Sequence, residues 1–441
     1  MLQLPASTYV DRRRRLLEQL PPGGAMLLPT HGEVTRSNTT AFPFRPHSDF
    51  YYVSGFPEPD AWLLLKRDGE EPGMHLFVLP RDRERETWTG RRYGVDGAKE
   101  CFGADHAWPL PELDEQLARL LADVDVLYFS FGRHTRKEAR LHRILSKVRT
   151  GRKAELGPTT LCDPESLLAE MRLIKTPEEL AVMRTGAEIS AEAHIAAMRA
   201  VRHGMHEYEI QALVEYTFRR RGAWGWAYPS IVAGGDNACI LHYVRNDGVF
   251  RDGELMLIDA GAEVDGYATD ITRTTPVGAA FSGAQRDAYE VVLGVQRRAI
   301  EAVRPGASIN GIHEQVLLDL TRGMVDLGVL HGDPEELVAD KKHEAFYPHR
   351  TSHWLGCDVH DVGRYNLRTG PHKPLEAGQV LTVEPGLYFP ADDERTPEAF
   401  KGIGIRIEDD VLVTGDGHEV LTAAVPKAVE ELEALRREAL G

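Results

Sequence analysis

The chain has 441 residues, 42% of them hydrophobic and 27% charged, with 41 glycines and 26 prolines. That composition excludes a disordered, collagenous or low-complexity protein, and the length exceeds the ~250–300 residues that one core usually serves, so two domains are expected. Lysine and arginine number 52 against 68 aspartates and glutamates, a net charge of −16 that repels phosphate backbones and argues against nucleic-acid binding.

The N-terminus lacks a basic segment followed by an apolar one, and no stretch approaches the ~18 apolar residues of a membrane span. The four cysteines, Cys101, Cys162, Cys239 and Cys357, form no C-x-x-C pair, which excludes a zinc ribbon or a compact disulfide framework. A reducing, cytoplasmic location is expected, with no membrane partner. The basic run Arg12-Arg13-Arg14-Arg15, between Asp11 and Leu16-Leu17, reads as the solvated face of a helix.

Beyond it, short apolar runs separated by turn residues predict strands at Ala25–Leu28, Phe50–Val53, Trp62–Leu65, Leu76–Leu79 and Val126–Phe129. Apolar residues three and four apart predict helices over Leu110–Leu121 and Lys137–Val148. Residues 1–171 are therefore expected to form a mixed α/β domain. A second domain, 172–441, opens at Lys175-Thr176-Pro177-Glu178-Glu179, where Thr176 is an N-cap, Pro177 suits the first helical position and Glu179 completes a capping box. The helix that starts there meets no breaker before His203-Gly204, and further helical patterns cover Glu207–Arg221, Gly283–Val303 and Ile309–Leu327.

One internal echo interrupts this otherwise non-repetitive region. Leu255–Asp259 runs through the turn Val264-Asp265-Gly266 to Asp270-Ile271-Thr272, and Val380–Glu384 precedes a loop before Ile403–Val413, which contains Glu408. Both read strand, loop, strand, with one carboxylate on each strand. The turn lies midway between Asp259 and Asp270, so those two acids are expected nearly opposite one another. Aspartate is depleted in strands and costly to bury unpartnered, and paired buried carboxylates repel unless a cation lies between them.

Three histidines, His349, His353 and His360, fall close together in a glycine-punctuated apolar segment. One imidazole and four carboxylates make an oxygen-rich donor set without thiolate. It suits Mn²⁺, Co²⁺ or Zn²⁺, carries too many anions for one ion, and implies metal-assisted hydrolysis at a dinuclear site. Neither a dinucleotide fingerprint, nor a phosphate-binding P-loop, nor H-E-x-x-H occurs.

Five segments carry a family resemblance: Ile258-Asp259-Ala260-Gly261, Thr269-Asp270-Ile271-Thr272-Arg273-Thr274, Ser352-His353-Trp354-Leu355-Gly356, Val383-Glu384-Pro385-Gly386 and Gly404-Ile405-Arg406-Ile407-Glu408-Asp409. They resemble the pita-bread metallopeptidases and, among these, the bacterial aminopeptidase P family. Phe44-Arg45, Ser48–Tyr52 and Ser54–Pro59 extend the likeness to that family's N-terminal domain. The resemblance implies an N-terminal α/β domain serving oligomerisation and substrate access, followed by a pseudo-twofold pita-bread catalytic domain. It implies release of the N-terminal residue from Xaa-Pro-Yaa peptides by a metal-bridging hydroxide.

On the same basis Asp270 and Glu408 would bridge two divalent ions, manganese first with cobalt or zinc as alternatives. Asp259 would complete one ion's shell, His353 and Glu384 the other's, and Glu384 would also shuttle a proton. His242, His349 and His360 would line the substrate site, and Arg406 would orient a carboxylate or meet the substrate. Trp88 is similar to an N-domain tryptophan that reaches a neighbouring subunit's site in a homodimer or homotetramer. Where several relatives carry an acid for that cross-subunit site, this chain has Ser37-Asn38-Thr39-Thr40. The rival readings are a prolidase, restricted to Xaa-Pro dipeptides, and a metal-free binding module of the same fold.

Overall fold

The computed structural model describes residues 3–150, 157–367 and 372–441. The chain divides into two compact units, one formed by residues 5–171 and the other by residues 172–441 together with Gln3 and Leu4.

The N-terminal unit is built on a six-stranded mixed sheet in the order His106–Pro109, Gly73–Val78, Trp62–Lys66, Gly24–Pro29, Val126–Tyr128, Thr160–Cys162. The central three strands pair antiparallel, and the flanking pairs are parallel. Gly24–Pro29 and Trp62–Lys66 are buried along their whole length, as expected of near-continuous apolar runs covered on both faces. One core gathers Leu27, Leu64 and Phe77 from the sheet with Leu113, Leu117 and Leu120 from helix Leu113–Leu120 and Leu141 and Ile144 from helix Thr135–Thr150.

Two expectations fail here for a shared reason. Phe50–Val53 is not a strand but lies within the helix Ser48–Ser54, which ends at Gly55 with φ +66°. Of the four arginines read as solvated, two are buried against it: Arg12 and Arg13, on helix Ala6–Gln19, are 2% and 7% exposed. Arg12 lies over the Tyr52 ring at 3.8 Å and donates to the Tyr52 carbonyl, and Arg13 donates to that of Val53. These guanidiniums satisfy the carbonyls that a helix C-terminus leaves unpaired. A four-residue aromatic run has no period that separates strand from helix.

The C-terminal unit repeats one motif twice. A helix pair, Pro177–Ala200 with Glu207–Arg220, accompanies strand Leu255–Asp259, an inner hairpin Ala262–Val264/Tyr267–Ala268, and strand Thr272–Pro276. The second pair, Gly283–Glu301 with Ile309–Asp326, accompanies strand Val380–Val383, an inner hairpin Gly386–Phe389/Ile403–Arg406, and strand Asp409–Val413. The predicted capping box is present: Thr176 Oγ1 accepts from Glu179 N, and Glu179 accepts from Thr176 N at 2.8 Å. Each echo is therefore strand, hairpin, strand rather than a single loop. Asp259 ends its outer strand and pairs with Thr272, so Asp270 is offset by two residues from the opposite position expected of it.

Glycine permits the first of these transitions. A Cβ on Gly261 would stand 1.6 Å from the Thr269 carbonyl oxygen, so only glycine lets the inner hairpin leave the outer strands directly after Asp259.

Candidate metal centre

All four acids sit where an outer strand meets an inner hairpin. Asp259 is the last residue of its strand, Asp270 precedes Thr272–Pro276 by two positions, Glu384 follows Val380–Val383 directly, and Glu408 immediately precedes Asp409–Val413. The pseudo-twofold repeat brings these corners together, and the expected cluster forms between the two half-sheets. Asp259, Asp270 and Glu408 are 9%, 6% and 1% exposed.

His353 reaches the same point because its segment runs beside an outer strand. His353 O accepts from Thr382 N, Thr351 O accepts from Glu384 N, and Leu355 N donates to Val380 O. His353 Nδ1 lies 3.0 Å from the Trp354 carbonyl, which only accepts, so Nδ1 carries a proton and Nε2 is the ring nitrogen turned to the acids. Nε2 stands 3.4 Å from Asp270 and 3.7 Å from Glu384. Ligand atoms of Asp270, His353 and Glu408 lie within 4.8 Å of one another.

Three further side chains hold the acids or the residues beside them. The Tyr228 hydroxyl stands 2.6 Å from Asp259 Oδ1 and 2.5 Å from Asp270 Oδ1. Thr272 Oγ1 donates to Glu408 at 2.6 Å. Tyr388 accepts from Arg406 at 2.9 Å and contacts His349 Nε2 at 2.8 Å. Arg406 completes the frame, donating to Asp259 Oδ2 at 2.6 Å and to Thr272 Oγ1 at 3.1 Å. No sequence signal marked Tyr228 or Tyr388, since neither lies in a periodic or charge-bearing pattern, whereas Thr272 was legible as part of Asp270-Ile271-Thr272.

Charge decides what the cluster can hold. Four carboxylates face one guanidinium. Burial raises Asp259 and Glu408 above the usual carboxylate range and lifts Glu384 to about 8. Burial alone would lower His353, yet its hydrogen bond to Asp270 and the charge of Glu384 bring it up to about 9. Protons can satisfy such a set only by neutralising several acids. Divalent cations satisfy it with every carboxylate ionised and the imidazole neutral, so the residues fit the expected dinuclear centre.

The centre opens into a cleft of about 1110 Å³ whose walls include His242, His349, His360, Leu241, Val244, Val359, Tyr365 and Asn366. His349 Nδ1 approaches Glu384 at 3.6 Å, and the His360 ring meets that of His353 edge-on at 4.5 Å. Burial and Arg406 push His349 down to about 3. Trp88 is not in this wall: it lies on helix Arg83–Thr89 of the N-terminal unit and is 85% exposed. The segment Ser37–Thr40 forms an exposed hairpin tip between Thr35–Ser37 and Thr40–Ala41.

A repeated strand–hairpin–strand device with acids at its corners and a histidine beside them defines a pita-bread metallopeptidase. The chain belongs to metallopeptidase family M24, whose model matches residues 181–415, and the model of the aminopeptidase P N-terminal domain matches residues 9–128. It is 45% identical to the Xaa-Pro aminopeptidase of Escherichia coli, over 99% of this chain and 98% of the relative. The solved structure of Pseudomonas aeruginosa aminopeptidase PepP superposes with a TM-score of 0.97 at 44% identity, covering 100% of both chains. A zinc-substituted E. coli aminopeptidase P in complex with product superposes at 0.95, also at 44% identity, covering 99% of each.

Proposed function

We propose that this chain is an Xaa-Pro aminopeptidase, removing the first residue from peptides with proline in second position. The observation that carries the reading is the end-to-end likeness to the E. coli enzyme of that name, both domains included. A prolidase reading is disfavoured by the same full-length relation, and a metal-free binding module by the presence of all five donors on one cleft.

Asp259, Asp270, His353, Glu384 and Glu408 would hold two divalent ions. Manganese suits so oxygen-rich a set, and cobalt or zinc would also be accepted. Ions held there supply Lewis acidity toward a peptide carbonyl and acidify water at neutral pH. Arg406, Tyr228 and Thr272 keep the carboxylates oriented, each donating to an acid oxygen. An amide to proline lacks an N–H, so the tertiary nitrogen must gain a proton as the C–N bond breaks, while the carbonyl carbon gains hydroxyl from water. Glu384, on the cleft wall beside His349, is placed to take the proton from water and return it to that nitrogen. His242, His349 and His360 hold the reacting carbonyl and, with Leu241, Val244 and Val359, surround the proline ring.

Self-association as a dimer or tetramer accompanies this reading, supported by exposed Trp88, Phe42 and Val34 on the N-terminal unit. With no acid in Ser37–Thr40, an acidic cross-subunit contribution from that tip is not part of the proposal. Four cysteines with no C-x-x-C pair among them suit a reducing cytoplasm. The test compares metal-stripped and Mn²⁺-restored protein on Arg-Pro-Pro, Arg-Ala-Ala and the dipeptide Arg-Pro. Free arginine from Arg-Pro-Pro well above the other two is expected, and release from Arg-Pro alone would make the chain a prolidase.

A further inference from the structure

From Ile240 to Gly248 the chain forms neither helix nor strand, yet Leu241, His242 and Val244 line the cleft from this segment. His242 is exposed, and no described side chain hydrogen-bonds its ring, so the backbone beneath it decides where the ring stands. One carboxylate fixes that backbone. Glu207, 1% exposed at the start of helix Glu207–Arg220, accepts at Oε1 from Gly234 N at 2.7 Å and Asn237 Nδ2 at 2.9 Å. At Oε2 it accepts from the Tyr243 hydroxyl at 2.8 Å and Gly248 N at 2.7 Å. Its own backbone N–H donates to the Gly248 carbonyl at 3.0 Å. These partners stand before, within and after the segment, so a single side chain closes the loop. A Cβ on Gly248 would lie 2.8 Å from Glu207 Oε1, so only glycine lets the chain come this close.

The four acceptor sites of the carboxylate are all engaged, which leaves none for a ligand, and Glu207 is not in the cleft wall. Burial and Glu207 push the Tyr243 hydroxyl up to about 12, so it stays a donor at neutral pH. The Tyr243 ring packs with Ile231, Ala233, Ala238 and Leu257, between the two wall residues His242 and Val244. One turn further along the same helix face, Gln211 accepts from Asn246 at 2.9 Å and pins the far side of the segment. Misplacing a reacting or positioning group by about 1 Å can cost ~100-fold in rate, so a bond one residue from His242 bears on the reaction.

We propose that Glu207 is a positioning residue for the peptidase reaction. Through Tyr243, Asn237 and the Gly234 and Gly248 amides it sets where the loop presents the His242 ring to the cleft, and it acts on catalysis through His242. The assignment rests on the Xaa-Pro aminopeptidase reading and on the place of His242 in it.

The test measures kcat for Arg-Pro-Pro at saturating Mn²⁺ in the full-length wild type, Glu207→Gln, His242→Asn and the double variant. Glu207→Gln turns one acceptor oxygen into a donor facing other donors, and kcat should fall about ten- to hundredfold. In the His242→Asn background the same change should cost less than about twofold, because the group it positions is already lost. Tyr243→Phe keeps the packed ring and removes one donor, and should show the same pattern with a several-fold loss, which decides the matter if Glu207→Gln does not fold. Amide hydrogen exchange of residues 241–244 should quicken in either variant while that of strand Leu255–Asp259 stays as in wild type. Equal losses with and without His242, a wild-type kcat in both variants, or unchanged exchange over 241–244 would overturn the proposal. A wild type inactive on Arg-Pro-Pro would instead overturn the aminopeptidase reading, and this assignment with it.

Discussion

Replacing Tyr228 by phenylalanine isolates what the hydroxyl between Asp259 and Asp270 contributes. The ring is retained and only the oxygen is lost, together with contacts of 2.6 and 2.5 Å to two carboxylates. A hydroxyl has one proton to give, and one hydrogen bond to a charged acceptor contributes about 1.5–3 kcal/mol. If that bond serves to hold the acids for metal, its loss converts to a ~10–150-fold weaker metal affinity, overlapping the ~10–100-fold typical of residues that orient ligands. The assay returns Mn²⁺ in steps to stripped protein and follows arginine release from Arg-Pro-Pro. Half-activation should move at least about tenfold higher, with kcat at saturating Mn²⁺ within a few-fold of wild type. An unchanged half-activation with a collapsed kcat would refute the reasoning and place the hydroxyl on the substrate instead.

Three further outcomes follow from the packing around the centre. Asp409, fully buried behind Glu408, accepts from Arg273, Lys427, Gln296 and Thr422, so Asp409→Asn should cost about 3–5 kcal/mol in urea unfolding by leaving two cations short of a partner; a change under 1 kcal/mol would contradict this. His194, buried with Nε2 2.9 Å from the Ala260 carbonyl, is pushed by burial from 6.5 to about 4. Because the unfolded chain takes up this proton first, wild type should lose about 2 kcal/mol more than His194→Gln between pH 7 and pH 5, a loss that continues until pH falls through about 4; parallel losses in the two proteins would contradict it. Gly261→Ala places a methyl on the Thr269 backbone and should lower both thermal stability and metal-dependent activity, whereas native values for both would show that the hairpin can yield.

The acids of the centre were legible because each interrupts or ends an apolar run, which makes an unpaired charge there expensive. His353 was legible only beside its motif, since His349 and His360 have equally apolar neighbours. What brings the five together was not legible from spacing: the inner hairpins add residues between the outer strands, so Asp270 falls two positions out of register with Asp259. Tyr228 and Tyr388 escaped for a related reason, since nothing local marks a side chain whose partners lie far along the chain. The N-terminal helix Ser48–Ser54 and the burial of Arg12 and Arg13 depend on each other, and neither sequence segment reveals that alone. The long helices, by contrast, carry their own caps and periodicity and were placed to within two residues at their ends.

The claim on which the rest depends is that peptidase activity requires divalent ions held by these five side chains. Its most direct test is the rate of arginine release from Arg-Pro-Pro by wild type and Asp270→Ala, each stripped with chelator and then returned to saturating Mn²⁺. The expected result is no activity in either stripped protein, recovery in wild type and none in the variant. Full activity of the wild type in excess chelator, or recovery by Asp270→Ala to the wild-type rate, would contradict the account.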